Sequence, residues 1–229
     1  MRIPVVLAEA PLVSGREGVA AVRERQRAAL VEAGRRAGAP ALAELPRDAD
    51  GAPVPFADGW RWTAANTRGA AVGAVARAPL GVDVESLTRP RVPAPGEFAG
   101  VDELIHAPIH APIDRATDRA GDRAINRAGD DADRWTTERT LALWCAKEAV
   151  LKLTGVGIAE LRACRLTGAP LWTGGEASLL IEHRGVTRAV RIATASGFVV
   201  ALAADADAHA PGPAVELDLH VLARAEARR

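Results

Sequence analysis

Two short stretches of the chain carry side chains whose types and spacing suit chemistry. The first is Gly81-Val-Asp83-Val-Glu85. In a strand, alternate side chains face the same way, so Asp83 and Glu85 share one face while Val82 and Val84 enter a core. Two carboxylates side by side repel each other unless a cation lies between them. Oxygen-only ligands of this kind suit Mg²⁺, which takes one or two carboxylates together with waters and substrate phosphates. A lone Asp-x-Glu is also what a solvated strand end carries. The second stretch is Trp144-Cys-Ala-Lys147-Glu148-Ala-Val-Leu-Lys152. On a helix, Glu148 and Lys152 are four apart and share a face with Trp144, while Ala142, Ala146, Ala149 and Leu153 form a packing row. Alone, this is an i,i+4 ion pair worth about a few tenths of a kcal/mol. Set beside the Asp-x-Glu strand, its carboxylate and two lysines complete a site for a divalent metal and a phosphate.

Regular elements must hold these residues. Ile3–Leu7 reads as a first strand. Arg16–Ala37, rich in Ala, Arg, Glu and Gln, reads as a helix ended by Gly38 and Pro40. A Gly/Pro/Asp-rich connector spans 48–59, and strands are expected at Ala70–Ala76 and Leu80–Val84. Trp60 and Trp62 alternate as strand residues would, shielding an apolar edge. The second stretch lies on an expected helix, Thr136–Leu153, closed by Thr154-Gly155. Strands are then expected at Leu161–Leu166, Ala177–Ile181, Val186–Ile192 and Phe198–Ala203. The tail from Asp205 begins as a Pro/Gly linker and ends in Val215–Arg229, with strand and helix equally open. Four segments result: 1–88 with the metal strand, 89–134, 135–205 with the metal and phosphate helix, and the tail 206–229.

Segment 89–134 differs from the rest. It opens on Arg-Pro-Arg-Val-Pro-Ala-Pro-Gly, which suits neither a helix nor a central strand. From His106 it runs as tetrapeptides: HAPI, HAPI, DRAT, DRAG, DRAI, NRAG, DDAD. On a helix the aspartates and arginines would form adjacent ridges that partly compensate. The stretch reads as a solvated low-complexity insertion. His106 and His110 have helical metal-ligand spacing, but Pro108 and Pro112 break a helix there, so repeat drift explains them better than zinc.

Composition narrows the function classes. Lys plus Arg is 29 and Asp plus Glu is 29, a formal net charge of zero in 229 residues. Such a chain has no long-range field to hold nucleic acid. Two cysteines are too few for a disulfide scaffold, and Cys145, with no companion histidine, reads as a packing residue. The N-terminus lacks the pattern of an export signal, and no apolar run reaches the roughly 18 residues of a membrane span. A soluble cytoplasmic protein is expected.

Taken together, GVDVE and, 65 residues beyond Asp83, Glu148 within WCAKEAVLK resemble the paired signature of Sfp-type 4′-phosphopantetheinyl transferases. Leu153-Thr-Gly-Val-Gly-Ile158, Gly197-Phe-Val-Val-Ala-Leu-Ala203 and Gly51-Ala-Pro53 also fit that family. The resemblance implies an α+β fold, a pseudo-twofold pair of similar α/β halves with coenzyme A and Mg²⁺ in the cleft between them. It implies transfer of the phosphopantetheine arm of coenzyme A to a serine of an acyl or peptidyl carrier protein, with release of adenosine 3′,5′-bisphosphate. It also implies a monomer. Asp83, Glu85 and Glu148 would be the metal carboxylates and should converge on one point. Lys152 would hold the pyrophosphate, Lys147 would be a secondary phosphate or ion-pair contact, and Glu148 would serve as the base for the serine.

The chain departs from that family's pattern at two places. The family's Asn-x-Ser-His-Ser-like motif falls on 63–69, putting its phosphate-contacting histidine at Asn66, which can donate a hydrogen bond but carries no charge. The lysine of the family's Gly-Lys-Pro is Ala52. Arg23, Arg25 and Arg27 of the first helix are candidate replacements, Arg27-Ala-Ala-Leu30 best matching the family's Arg-x-x-Leu; Arg68 is another. Arg89 and Arg91 read as rim charges. Two alternatives remain: a degenerate homologue that binds coenzyme A or a carrier protein without transfer, and another Mg²⁺-dependent enzyme acting on a pyrophosphate.

Overall fold

The computed structural model of the chain describes residues 1–10, 18–41, 45–49, 51–100, 136–168, 170–173, 175–205 and 215–222. The tetrapeptide repeats, His106, His110 and most of the tail lie outside them.

Among the described residues, ten strands form two sheets. In the first, β10 (Glu216–Leu222), β1 (Arg2–Glu9), β3 (Ala70–Ala76) and β2 (Arg61–Thr67) lie in that order; β10 runs parallel to β1 and the other pairs are antiparallel. In the second, β4 (Leu80–Ser86), β9 (Phe198–Ala204), β8 (Val186–Ala195), β7 (Glu176–His183) and β5 (Arg165–Leu166) follow one another antiparallel, with β6 (Leu171–Thr173) also on β7. Helix α1 (Val19–Ala37) covers the first sheet, one-turn helix α2 (Pro95–Phe98) follows β4, and α3 (Thr137–Thr154) covers the second sheet.

Alternation along the strands makes three apolar layers. Val6, Ala8 and Val75 face Ala29, Leu30 and Ala33 of α1. Their neighbours Val5, Leu7, Val72 and Ala74 face the second sheet, meeting Val82, Val84, Val200 and Leu202. Val199, Ala201 and Ala203 face Leu141, Cys145 and Ala149 of α3. The order is helix, sheet, sheet, helix. The alanine-rich composition has a use here, because small side chains let a helix approach a sheet closely. A Cβ at Gly73 would lie 2.8 Å from the Leu30 backbone nitrogen of α1, and one at Gly81 only 2.0 Å from the Ala149 carbonyl oxygen of α3. Helices α1 and α3 thus each rest on a glycine of the strand beneath them.

Most expected elements are present. Helix α3 starts behind Thr136, whose hydroxyl accepts from the Arg139 amide at 3.3 Å, and ends at Gly155 in the left-handed conformation (φ 71°). Trp62 lies on β2 and is buried beneath Arg47, 4.7 Å from its ring. The tail question resolves as strand β10. One expected strand is corrected: within Leu161–Leu166 only Arg165–Leu166 is strand, and Ile158–Ala163 is a 3-10 helix. Leu161 and Cys164 are both buried, three residues apart, so the apolar pattern there has the period of a 3-10 turn rather than two. Strands β2 and β6 go beyond what the periodicity marked. Among the described residues, no helix is long and apolar enough to cross a membrane.

Candidate functional site

Strand β4 and helix α3 build the site. Gly81 lets α3 lie against β4, which puts Asp83 two residues further along beside the Lys152–Glu148 face. Lys152 Nζ donates to Asp83 Oδ1 at 2.6 Å and lies 3.8 Å from Glu148 Oε2. The Asp83 side chain is 6% exposed, and its second oxygen, Oδ2, is buried without a hydrogen-bond donor. Burial first, then the charge of Asp83, pushes the Glu148 carboxyl up to about 7, even though Lys152 opposes the shift. Desolvation opposes the Lys152 ammonium, but the charge of and hydrogen bond to Asp83, together with Glu148, outweigh it and raise the group.

Glu85 stands next along the strand. Thr67 Oγ1, at the end of β2, donates to Glu85 Oε2 at 3.0 Å, and Arg89 Nη1 lies 2.7 Å from Oε1. Burial raises the Glu85 carboxyl, as does the charge of Asp83, while Arg89 and Thr67 pull it back. Asp83, Glu85 and Glu148 therefore sense one another's charge. Among the described residues, however, no three His, Cys, Asp or Glu side chains are gathered closely enough to hold an ion as they stand. As they stand, Lys152 engages one oxygen of Asp83, and Arg89 and Thr67 engage the two oxygens of Glu85. The donor set still fits a hard divalent cation. It is all carboxylate oxygen, it includes the orphaned Asp83 Oδ2, and burial with the charge of Asp83 raises the Glu148 carboxyl to about 7.

The other expected site residues are placed as follows. Lys147 is fully buried, 5.8 Å from the Phe98 ring centre, and donates to the Phe98 carbonyl at 3.0 Å. It ties α3 to the segment after β4 rather than joining the acids. Asn66 is exposed on β2, and its Oδ1 accepts from Gln26 Nε2 of α1 at 2.9 Å. Arg68 is exposed in the turn after β2, one residue beyond Thr67. Arg27 is exposed on α1, while Arg25 is buried there. Cys145 is buried beside the acids with its thiol toward the Val199 carbonyl, and burial with three nearby carboxylates raises it well above the ordinary thiol value. Such a thiol is a poor nucleophile. Sequence spacing missed three residues: Arg89, Thr67 and Gln26. The only signal available was that Arg89 follows Glu85 by four residues across a turn, and Thr67 lies beside the displaced histidine position. Two clefts, of about 640 and 710 Å³, lie along β1 and β10 and are lined by none of the acids.

The family model described as the 4′-phosphopantetheinyl transferase superfamily matches residues 79–203, which include β4, α3 and every acid of the cluster. That is more than half of the chain, and the chain belongs to this superfamily of transferases. No curated protein matches it.

Proposed function

We propose that the chain is an Sfp-type enzyme. It transfers the 4′-phosphopantetheine arm of coenzyme A to a serine hydroxyl of an acyl or peptidyl carrier protein and releases adenosine 3′,5′-bisphosphate. The observation that carries this reading is the pairing of Lys152 with Asp83 beside Glu148, which brings the two sequence motifs to one place. Asp83 and Glu148, joined by Glu85, would hold Mg²⁺, whose chemistry there is charge neutralisation on the pyrophosphate. Phosphoryl transfer of this kind needs positioning and neutralisation more than covalent help. Lys152, one-third exposed at the edge of the acids, is placed to follow a phosphate oxygen when the acids take a metal in its stead. Glu148, on the same helix face as Lys152, would accept the serine proton. Asn66 and Arg68 border the site on the β2 side and are the proposed contacts to coenzyme A, with Arg27 further along α1.

The two helix-on-strand contacts, α1 on Gly73 and α3 on Gly81, support a pseudo-twofold pair of halves and hence a monomer. The site of action is the cytoplasm.

Incubation with coenzyme A, Mg²⁺ and an apo carrier protein should add the mass of the arm to the carrier serine. Glu148→Gln should retain coenzyme A binding and lose turnover; near-normal turnover with retained Mg²⁺ binding removes Glu148 as the base. A second reading, a non-catalytic homologue that binds coenzyme A or a carrier, is favoured by one observation: the neutral Asn66 where the family has a histidine. Binding of coenzyme A with no modification of several carriers would select it.

A further inference from the structure

Arg89, a rim charge by sequence, sits on Glu85. Its Nη1 lies 2.7 Å from Glu85 Oε1, with the two side chains 27% and 16% exposed. That Nη1 is buried and makes no aligned hydrogen bond, so the contact is chiefly Coulombic. The turn after β4 holds it there: the Arg89 amide donates to the Ser86 carbonyl at 3.2 Å, and the Thr88 amide donates to Ser86 Oγ at 3.2 Å. The chain folds back so that Arg89 covers the end of its own strand. Both oxygens of Glu85 are then engaged, Oε2 by Thr67, while the neighbouring Asp83 Oδ2 has no donor.

We propose that Arg89 is a latch on Glu85. It is an internal counter-cation that must leave before Glu85 can ligate a divalent ion, and once displaced it takes an anionic group of the substrate. This rests on the reading of the acids as a metal centre. A guanidinium in contact with Oε1 occupies the space in which a metal would approach that oxygen to about 2.1 Å. A divalent charge among the acids also repels a guanidinium at contact distance. A displaced guanidinium needs an anion, and its fork of donors matches phosphate oxygens. A metal binding alone therefore competes with Arg89, whereas a metal binding together with a phosphate-bearing ligand does not. The two ligands bind with positive coupling, and the coupling is reciprocal.

Mn²⁺ binding to the full chain, by calorimetry or electron paramagnetic resonance, with and without adenosine 3′,5′-bisphosphate, tests the latch. Arg89→Gln and Arg89→Ala should bind Mn²⁺ alone more tightly than wild type, by roughly three- to ten-fold for loss of a partly screened charge competitor. The bisphosphate should tighten Mn²⁺ binding less in these variants than in wild type. On a Glu85→Gln background, Arg89→Gln should change Mn²⁺ affinity no further. Unchanged or weaker Mn²⁺ binding in the single variants overturns the latch and makes Arg89 an inert or orienting neighbour, with the metal centre left standing. A wild-type chain that binds no Mn²⁺ removes the metal-centre reading and the latch together. Should Arg89→Gln fail to fold, Arg89→Lys decides: a compact ammonium should bring less bisphosphate-induced tightening than wild type, and full wild-type tightening overturns the proposal.

Discussion

Lys152 Nζ and Asp83 Oδ1 lie 2.6 Å apart although 69 residues separate them in the chain. This contact joins the middle of β4 to the face of α3 and brings together two motifs that are each weak alone. It also neutralises Asp83 while no metal is bound. On the proposed reading, a lysine so placed would serve first as counter-cation for the acids and then as partner for a substrate phosphate.

Removing Lys152 strands a buried carboxylate. Lys152→Met should destabilise the metal-free protein by about 1–3 kcal/mol, less than the loss of a fully buried pair because the lysine is one-third exposed. Mg²⁺ should restore part of that loss. Urea unfolding in chelator and in millimolar Mg²⁺ measures both effects. The Lys152→Met, Asp83→Asn double variant should be less destabilised than the two single effects summed, since both remove the same pair. Strict additivity would mean that the pair contributes nothing.

The raised Glu148 carboxyl has a consequence for pH. Its folded value, about 7, lies above the ordinary 4.5, so the folded protein holds a proton that the unfolded chain gives up. That contribution to stability is fully present below about 4.5 and is lost as pH rises through about 7. The melting temperature of the chelator-treated protein should fall across this window, and Glu148→Gln should flatten that part of the profile. Mg²⁺ should reverse the slope, because the ionised acid then has a cation to bind. A profile that Glu148→Gln leaves unchanged would assign the slope to other groups.

Gly81 tests the fold and the site at once. A Cβ there would stand 2.0 Å from the Ala149 carbonyl oxygen and 2.6 Å from the Leu153 nitrogen, backbone atoms that cannot swing aside. Gly81→Ala should force α3 off β4 and cost at least about 3 kcal/mol, beyond ordinary overpacking. It should also part Lys152 from Asp83. Gly73→Ala meets its nearest atom at 2.8 Å and includes the movable Leu30 side chain, so it should cost less. Thermal unfolding of the two variants ranks them, and equal melting temperatures would contradict the geometry.

Much of this was legible in the sequence. Alternation marked Asp83 and Glu85 as sharing a face, and helical spacing marked Glu148 with Lys152, because both depend only on local periods. What local periods do not encode is which side chain fills a gap across layers. Lys147, beside Glu148 in sequence, turns a hundred degrees around α3 and ends against the Phe98 carbonyl. Arg89 reaches Glu85 only because the turn at Ser86 folds back. The strand reading of 161–166 failed because Leu161 and Cys164 are buried at a spacing of three, which a short apolar run does not distinguish from strand. The engagement of Glu85 was invisible for the same reason: one of its partners, Thr67, is delivered by β2 from 18 residues away.

Asn66 offers the sharpest test of how the neutral substitution is accommodated. Gln26 donates to its Oδ1 at 2.9 Å, which fixes the amide so that the Asn66 NH₂ is the end left to donate. Gln26→Ala frees the amide to rotate and should raise the KM for coenzyme A by roughly two- to five-fold, the worth of one modest hydrogen bond, with little change in kcat. Asn66→His should lower that KM and make it depend on pH near the ordinary histidine value, around 6.5, tighter on the acidic side where the ring is charged. If Gln26→Ala lowers kcat and leaves KM alone, the Gln26–Asn66 contact supports the strand that carries Thr67 rather than the bound nucleotide. If neither variant changes either constant, coenzyme A is held elsewhere, and Arg68 becomes the first residue to replace.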